Sequence, residues 1–182
     1  MKEGDKIKLK DAILYLLDLK GGKWDLFHIQ KALFLANVYS LNKFGQTVVK
    51  GNFYAGEMGP YHIDLNCILS ENSDLDVVKN SIIFEDEYAP IPTEECTRFI
   101  KAKEKLNLFD LEREDIISLD AAFYNFEQLF IDEILSKKYV EMFLKLQNKE
   151  PNDRIIEWVY CIEDPYMIEH YLFGEYWDDA IN

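Results

Sequence analysis

The chain has 182 residues, 48% of them hydrophobic and 14% aromatic, enough to bury one full core, so a single domain over 1–182 is expected. Its formal charge of −14, from 20 Lys plus Arg against 34 acids, argues against nucleic acid as a partner, because affinity for phosphate backbones comes from cations that displace counterions. No uncharged apolar run approaches the roughly 20 residues needed to cross a bilayer, and Met1-Lys2-Glu3-Gly4-Asp5-Lys6 lacks the apolar stretch of a secretory signal, so a cytoplasmic protein without membrane contact is expected.

Taken in chain order, Ala12, Ile13, Leu16 and Leu17 recur at helical spacing and predict a helix from about Leu9 to Lys20, stopped by Gly21-Gly22. Asp25 is a good N-cap for a second helix reaching Phe44 and closed by Gly45, with Lys43 near its negative end. That helix is apolar almost all round, which marks it as the central core helix. From Thr47 to Ala55 the pattern changes to Val, Phe and Tyr with polar interruptions and predicts a strand, in which Gly51 signals a bulge or a close backbone approach. Gly59-Pro60 then predicts a turn with Pro60 opening a helix that buries Tyr61, Leu65, Ile68 and Leu69.

Further on, Ser81 to Phe84 and Tyr88 to Pro92 predict a small hairpin around Glu85-Asp86-Glu87. Thr93 is read as the cap of a helix from Glu94 to about Leu106. A longer helix from about Leu111 carries Ile116, Leu119, Phe123, Phe126 and Phe130 at helical spacing, and another covers Ser136 to Gln147. The last, capped by Asn152, holds Ile155, Ile156, Trp158 and Val159 before Asp164-Pro165 interrupts it. The expected class is therefore α+β, mainly α-helical, with about seven helices and a small antiparallel sheet. Residues 165–182 form an acidic, aromatic tail, read either as a docking tail or as a terminus pinned by Trp177 with its acids solvated.

The chemistry-bearing residues are sparse. No phosphate-binding loop, dinucleotide fingerprint, zinc-protease pattern, nucleophile elbow or calcium loop occurs, which removes common enzyme classes. Cys67, Cys96 and Cys161 are odd in number and widely spaced, so reduced core thiols are expected rather than a zinc site. His28 lies among apolar residues and reads as a packed or capping histidine rather than a base. His62 with Asp64 or Glu57 is the one acid-histidine pair near a turn, and supports the minority reading of a small hydrolase. Glu163, Glu169 and His170 lack the converging ligands of a specific metal site. No catalytic residue, metal or cofactor is assigned.

Residues 1–50 hold nine Lys against five acids (+4), whereas the remainder holds 11 Lys plus Arg against 29 acids (−18). Such acidity either steers a basic protein partner or only maintains solubility.

Ile29-Gln30-Lys31-Ala32-Leu33-Phe34-Leu35, followed some twenty residues later by Phe53-Tyr54-Ala55-Gly56-Glu57-Met58-Gly59-Pro60, resembles the two best marks of the Panacea domain family. Leu119-Asp120-Ala121-Ala122-Phe123 through Glu133-Ile134 resembles a third, and on that alignment the long helix breaks between Phe126 and Leu129. The resemblance spans roughly residues 8–145. It departs at Glu127, where the family often has Gly, and at Lys138-Tyr139, where it often has a Thr/Ser-His dipeptide.

The resemblance implies a bacterial or phage protein that neutralises a toxin by direct contact; the alternatives are a proteolytic adaptor delivering a toxin to protease machinery and a phage-associated regulatory protein. Partner binding is assigned to Gln30, Lys31, Tyr54, Glu57, Gly59, Pro60 and His62, through exposed groups near Gln30, Lys31, Tyr54, Glu57 and His62, and to the acidic C-terminal half, and a homodimer is equally compatible with the aromatic, acidic surface.

Overall fold

The computed structural model describes residues 1–56, 59–68, 76–87, 97–103, 106, 110–128, 137–150 and 153–163. The fold is mainly α-helical with small antiparallel sheets, as the periodicities predict. Helix α1 spans Glu3–Leu19, six residues earlier than its apolar stripe, because Glu3 and Asp5 suit the positive end of a helix and the Asp5 carboxylate accepts the Lys2 N–H at 3.3 Å. A short strand, β1 (Lys23–Asp25), leads into α2 (Leu26–Phe44). Asp25 caps α2 by accepting the His28 N–H at 2.9 Å, and Gly45 closes it in a left-handed conformation.

Helix α2 is the central helix. Ile29, Ala32, Leu33, Phe34, Ala36 and Leu41 are inaccessible, and its most extensive packing is against α5 (Arg113–Gln128). Tyr15 of α1 donates its hydroxyl to Asp120 Oδ1 of α5 at 2.7 Å; burial first, then that carboxylate, push the Tyr15 phenol well above its ordinary range.

Two strands, β2 (Phe53–Gly56) and β3 (Gly59–His62), form a hairpin, followed by α3 (Ile63–Ile68) and α4 (Asp76–Ser81). The strand expected from Thr47 is thus shorter, and Pro60 lies inside β3 rather than opening a helix. The ladder explains why a proline is accepted there. Ala55 donates to the Arg154 carbonyl at 2.9 Å and Phe53 accepts from the Ile156 N–H at 2.8 Å, so both turn away from β3. Pro60, opposite Ala55, therefore faces no acceptor that needs its missing N–H.

The second sheet has the order β1-β5-β4, with β4 at Ile82–Glu87 and β5 at Thr97–Ala102. This corrects two expectations. Glu85-Asp86-Glu87 belong to a strand, not a turn, and the helix expected from Glu94 to Leu106 gives way to β5 between Thr97 and Ala102. Pairing decides the matter: Ile100 sits opposite Trp24 and Phe84, and both Trp24 and Ile100 are buried. A short apolar run does not by itself separate strand from helix. Tyr88 to Pro92 lie outside the described residues.

Helix α6 (Lys137–Gln147) matches its expected span within a residue. The helix expected after Asn152 is instead an extended segment bridging Tyr54 at Ile155, then a 3-10 turn at Trp158–Cys161. Backbone bonds to β2 outcompete helix formation there, and Trp158 packs against Phe34 and Phe53 at 5.5 and 5.4 Å. Cys161 is buried in the core, as expected. Phe130, expected on the long helix, the tail at 165–182, and His170 fall outside the described residues.

Candidate interaction site

Residues assigned to partner binding converge on one place, the β2–β3 hairpin seated on the first half of α2. Its inner face is core. Phe53 packs edge-on against Phe34 at 5.5 Å and against the His62 ring at 4.8 Å.

Gln30 and His62 hold the hairpin down. In the non-hydrogen-bonded register opposite Phe53, His62 turns its N–H away from β2, where Gln30 Oε1 accepts it at 3.0 Å. Both residues are buried, as is Pro60, so the expectation that Gln30 and His62 offer exposed groups is corrected. A polar residue in an apolar helix had two ways to be satisfied, solvent or a backbone partner, and the hairpin supplies the partner.

The His62 ring is fully used as well. The Asp64 N–H donates to Nδ1 at 3.2 Å, which leaves Nε2 as the protonated nitrogen donating to the Lys50 carbonyl at 2.9 Å. Burial lowers the pKa below the ordinary 6.5, outweighing the Lys50 carbonyl and the Asp64 carboxylate, which act the other way. His62 is a neutral histidine with no solvent-facing nitrogen, which removes the geometric basis for its use as a base with Asp64. Gly51 permits the contact: with φ at +112°, a Cβ there would lie 2.6 Å from His62 Nε2. The close approach expected at Gly51 is thus real, and its cause is the histidine.

The outer side of the site carries Lys31, Tyr54 and Gly59, all half-buried. Tyr54 stacks on Tyr61, its cross-strand neighbour, at 5.7 Å. The Lys31 ammonium lies 3.7 Å from the centre of the Phe27 ring, and Phe27 is itself 36% exposed. Glu57 falls outside the described residues.

A family model described as antitoxin SocA-like, Panacea domain, matches residues 29–150. The chain belongs to this family. The match begins at Ile29, beside Gln30, and runs to Glu150 past α6, so it contains the hairpin, its anchor and α5. No curated protein and no solved structure matches the chain. Membership points to an antitoxin-like, non-enzymatic role with a toxin as partner. Among the described residues no helix is long and apolar enough to cross a membrane.

Sequence reasoning missed two anchors on α2. Asn37 is inaccessible and binds both backbone groups of Val49: its Nδ2 donates to the carbonyl at 2.9 Å and its Oδ1 accepts the N–H at 3.0 Å. Asn42 donates to the carbonyl of Cys161 at 2.9 Å and accepts the Glu163 N–H at 2.8 Å. With Gln30, three amide side chains on one helix hold three non-helical segments. The signal was present as amides on an otherwise apolar helix, because a buried amide requires partners. At the helix start, His28 behaves as the capping histidine expected: it bonds the Asp25 carboxylate and stacks on Trp24. Burial pushes the Asp25 carboxyl up, but the two bonds from His28 more than offset this and hold it below its usual range.

Proposed function

We propose that this domain acts in the cytoplasm as an antitoxin, neutralising a protein toxin by direct contact through the hairpin surface on α2. The observation that carries the reading is the rigid seating of that hairpin, by Gln30 and His62, inside the family-matched region. Tyr54 stacked on Tyr61 gives the outer side half-buried aromatic groups of the kind that contribute most to protein interfaces, and Lys31 sets a cation over the exposed Phe27 ring beside them. Gly59 and Pro60 shape the arm that presents them, and Glu57 belongs to the proposed set by its place in the sequence. The net charge of −14 supports a basic toxin, since opposite charges speed encounter, whereas like charge repels nucleic acid.

Co-expression with the product of the adjacent gene tests the reading. The expected result is a product toxic alone, tolerated with this chain and co-purifying with it. A harmless product, or a toxic one that does not co-purify, defeats it. Accelerated loss of the toxin in cells, without neutralisation by the purified chain, would instead assign the role of proteolytic adaptor.

A further inference from the structure

Residues 154–156 run as an extended segment along the outer side of β2, joined to it by a bridge at Tyr54–Ile155. The bonds from Ala55 N–H to the Arg154 carbonyl and from Ile156 N–H to the Phe53 carbonyl flank the Tyr54–Ile155 pair. Ile155 is therefore in a non-hydrogen-bonded register and turns its own N–H and C=O away from β2. Among the described residues no backbone group accepts the Ile155 N–H. An open edge of this kind is a template for another strand.

A groove of about 350 Å³ lies between this edge and α6. Met142 and Leu146, one helical turn apart, supply an apolar wall opposite Ile155 and Tyr160, which are 37% and 43% exposed. The charges along it are ordered. Lys145 and Lys149 follow Glu141 at successive four-residue steps on the α6 side, and the Arg154 Nε donates to the Lys149 carbonyl at 2.9 Å, which brings the strand's first residues to the cationic end. Glu141 and Glu157 supply the carboxylates.

We propose that the Ile155 edge and this groove receive an extended segment of a partner protein, added as a strand. Its apolar side chains would face Met142 and Leu146, with a carboxylate near Lys145 and Lys149 and a cation near Glu141 and Glu157. About three extended residues, at ~3.3 Å each, match the roughly 9 Å of α6 from Glu141 to Gln147. Main-chain bonds supply affinity in such additions and the flanking pockets supply specificity. A second copy of this chain is a poor occupant: two domains of −14 repel, and pairing Ile155 with its own copy sets Asp153 opposite Glu157. Naming the toxin as the partner rests on the antitoxin reading; the capacity of the edge to take a strand does not.

The test uses the full chain and two fluorescein-labelled heptapeptides, Lys-Val-Thr-Val-Thr-Val-Glu and its reversed sequence, followed by fluorescence anisotropy. Saturable binding of one of the two is expected. Ile155→Pro removes the outward N–H while leaving both bonds to β2, and should weaken that binding at least tenfold with an unchanged far-ultraviolet spectrum. The surface double variant Lys145→Glu/Lys149→Glu should weaken it similarly, whereas Ile155→Val should not. The proposal is overturned if neither peptide binds, if Ile155→Pro binds as the parent does, or if the chain is a dimer that Ile155→Pro dissociates. If the peptide results hold but the adjacent gene's product is not captured, the antitoxin reading fails and the strand site stands.

Discussion

The side chain of Lys31 crosses directly over the backbone of Gly59: a Cβ on Gly59 would lie 2.9 Å from Lys31 Cε. Helix and hairpin are thus in contact on the outer side as well as through Gln30 inside. Gly59 also has φ at +126°, a conformation that other L residues adopt only under strain.

Gly59→Ala should therefore destabilise the domain by about 1–3 kcal/mol in urea unfolding, because moving Lys31 relieves the contact but not the backbone strain. Lys31→Ala alone should cost about 0.5–1 kcal/mol, the worth of a partly solvated cation on an exposed aromatic ring. If Gly59→Ala adds nothing in the Lys31→Ala background, the strain argument is wrong.

Gln30→Leu leaves the buried His62 N–H without an acceptor, and should cost about 1–3 kcal/mol. Amide hydrogen exchange locates the damage. His62 and its neighbours in β3 should exchange faster while the core of α5 is little changed, and uniform acceleration across the domain would contradict the assigned bond.

How much of this was legible in the sequence follows from where the determinants lie. The limits of α2 were readable because Asp25 and Gly45 are local signals that act within one turn of the helix they bound. Gly51 likewise announced a close approach. By contrast, β5 depends on Trp24 and Phe84, each distant in sequence from Ile100, and the segment after Arg154 on bonds to β2. The residues read as a candidate site prove partly internal: Gln30 and His62 fix the hairpin, and Lys31, Tyr54 and Tyr61 are its more accessible groups. Polar character alone could not tell an anchored amide from an exposed one.

The buried neutral state of His62 has a defined pH signature. Its pKa is depressed, so below about 6.5 the unfolded chain takes up a proton that the folded chain resists. The His62 contribution to stability should be complete above that value and decline as pH falls towards its folded pKa. Ring resonances in nuclear magnetic resonance provide the check: a His62 midpoint at or above 6.5 would refute the assignment.

Asn37→Leu removes both partners of Val49 at once. With its N–H and carbonyl left unbonded in the interior, a loss of roughly 3 kcal/mol is expected. Asn37→Asp restores only the acceptor, so its thermal midpoint should also fall below that of the parent. A parental midpoint for either variant would show that the Val49 groups find other partners.

The three amides of α2 also set which parts of this chain can change length. The connections between the held segments can grow at little thermodynamic expense, since doubling a flexible loop adds only about 0.6 kcal/mol. The helix itself has no such latitude. One residue inserted between Gln30 and Asn42 would rotate everything beyond it by about 100°, and Asn37 or Asn42 would lose the groups each now binds. Evolutionary or engineered insertions should therefore gather in the loops, with the spacing along α2 acting as the ruler to which the rest of the domain is cut.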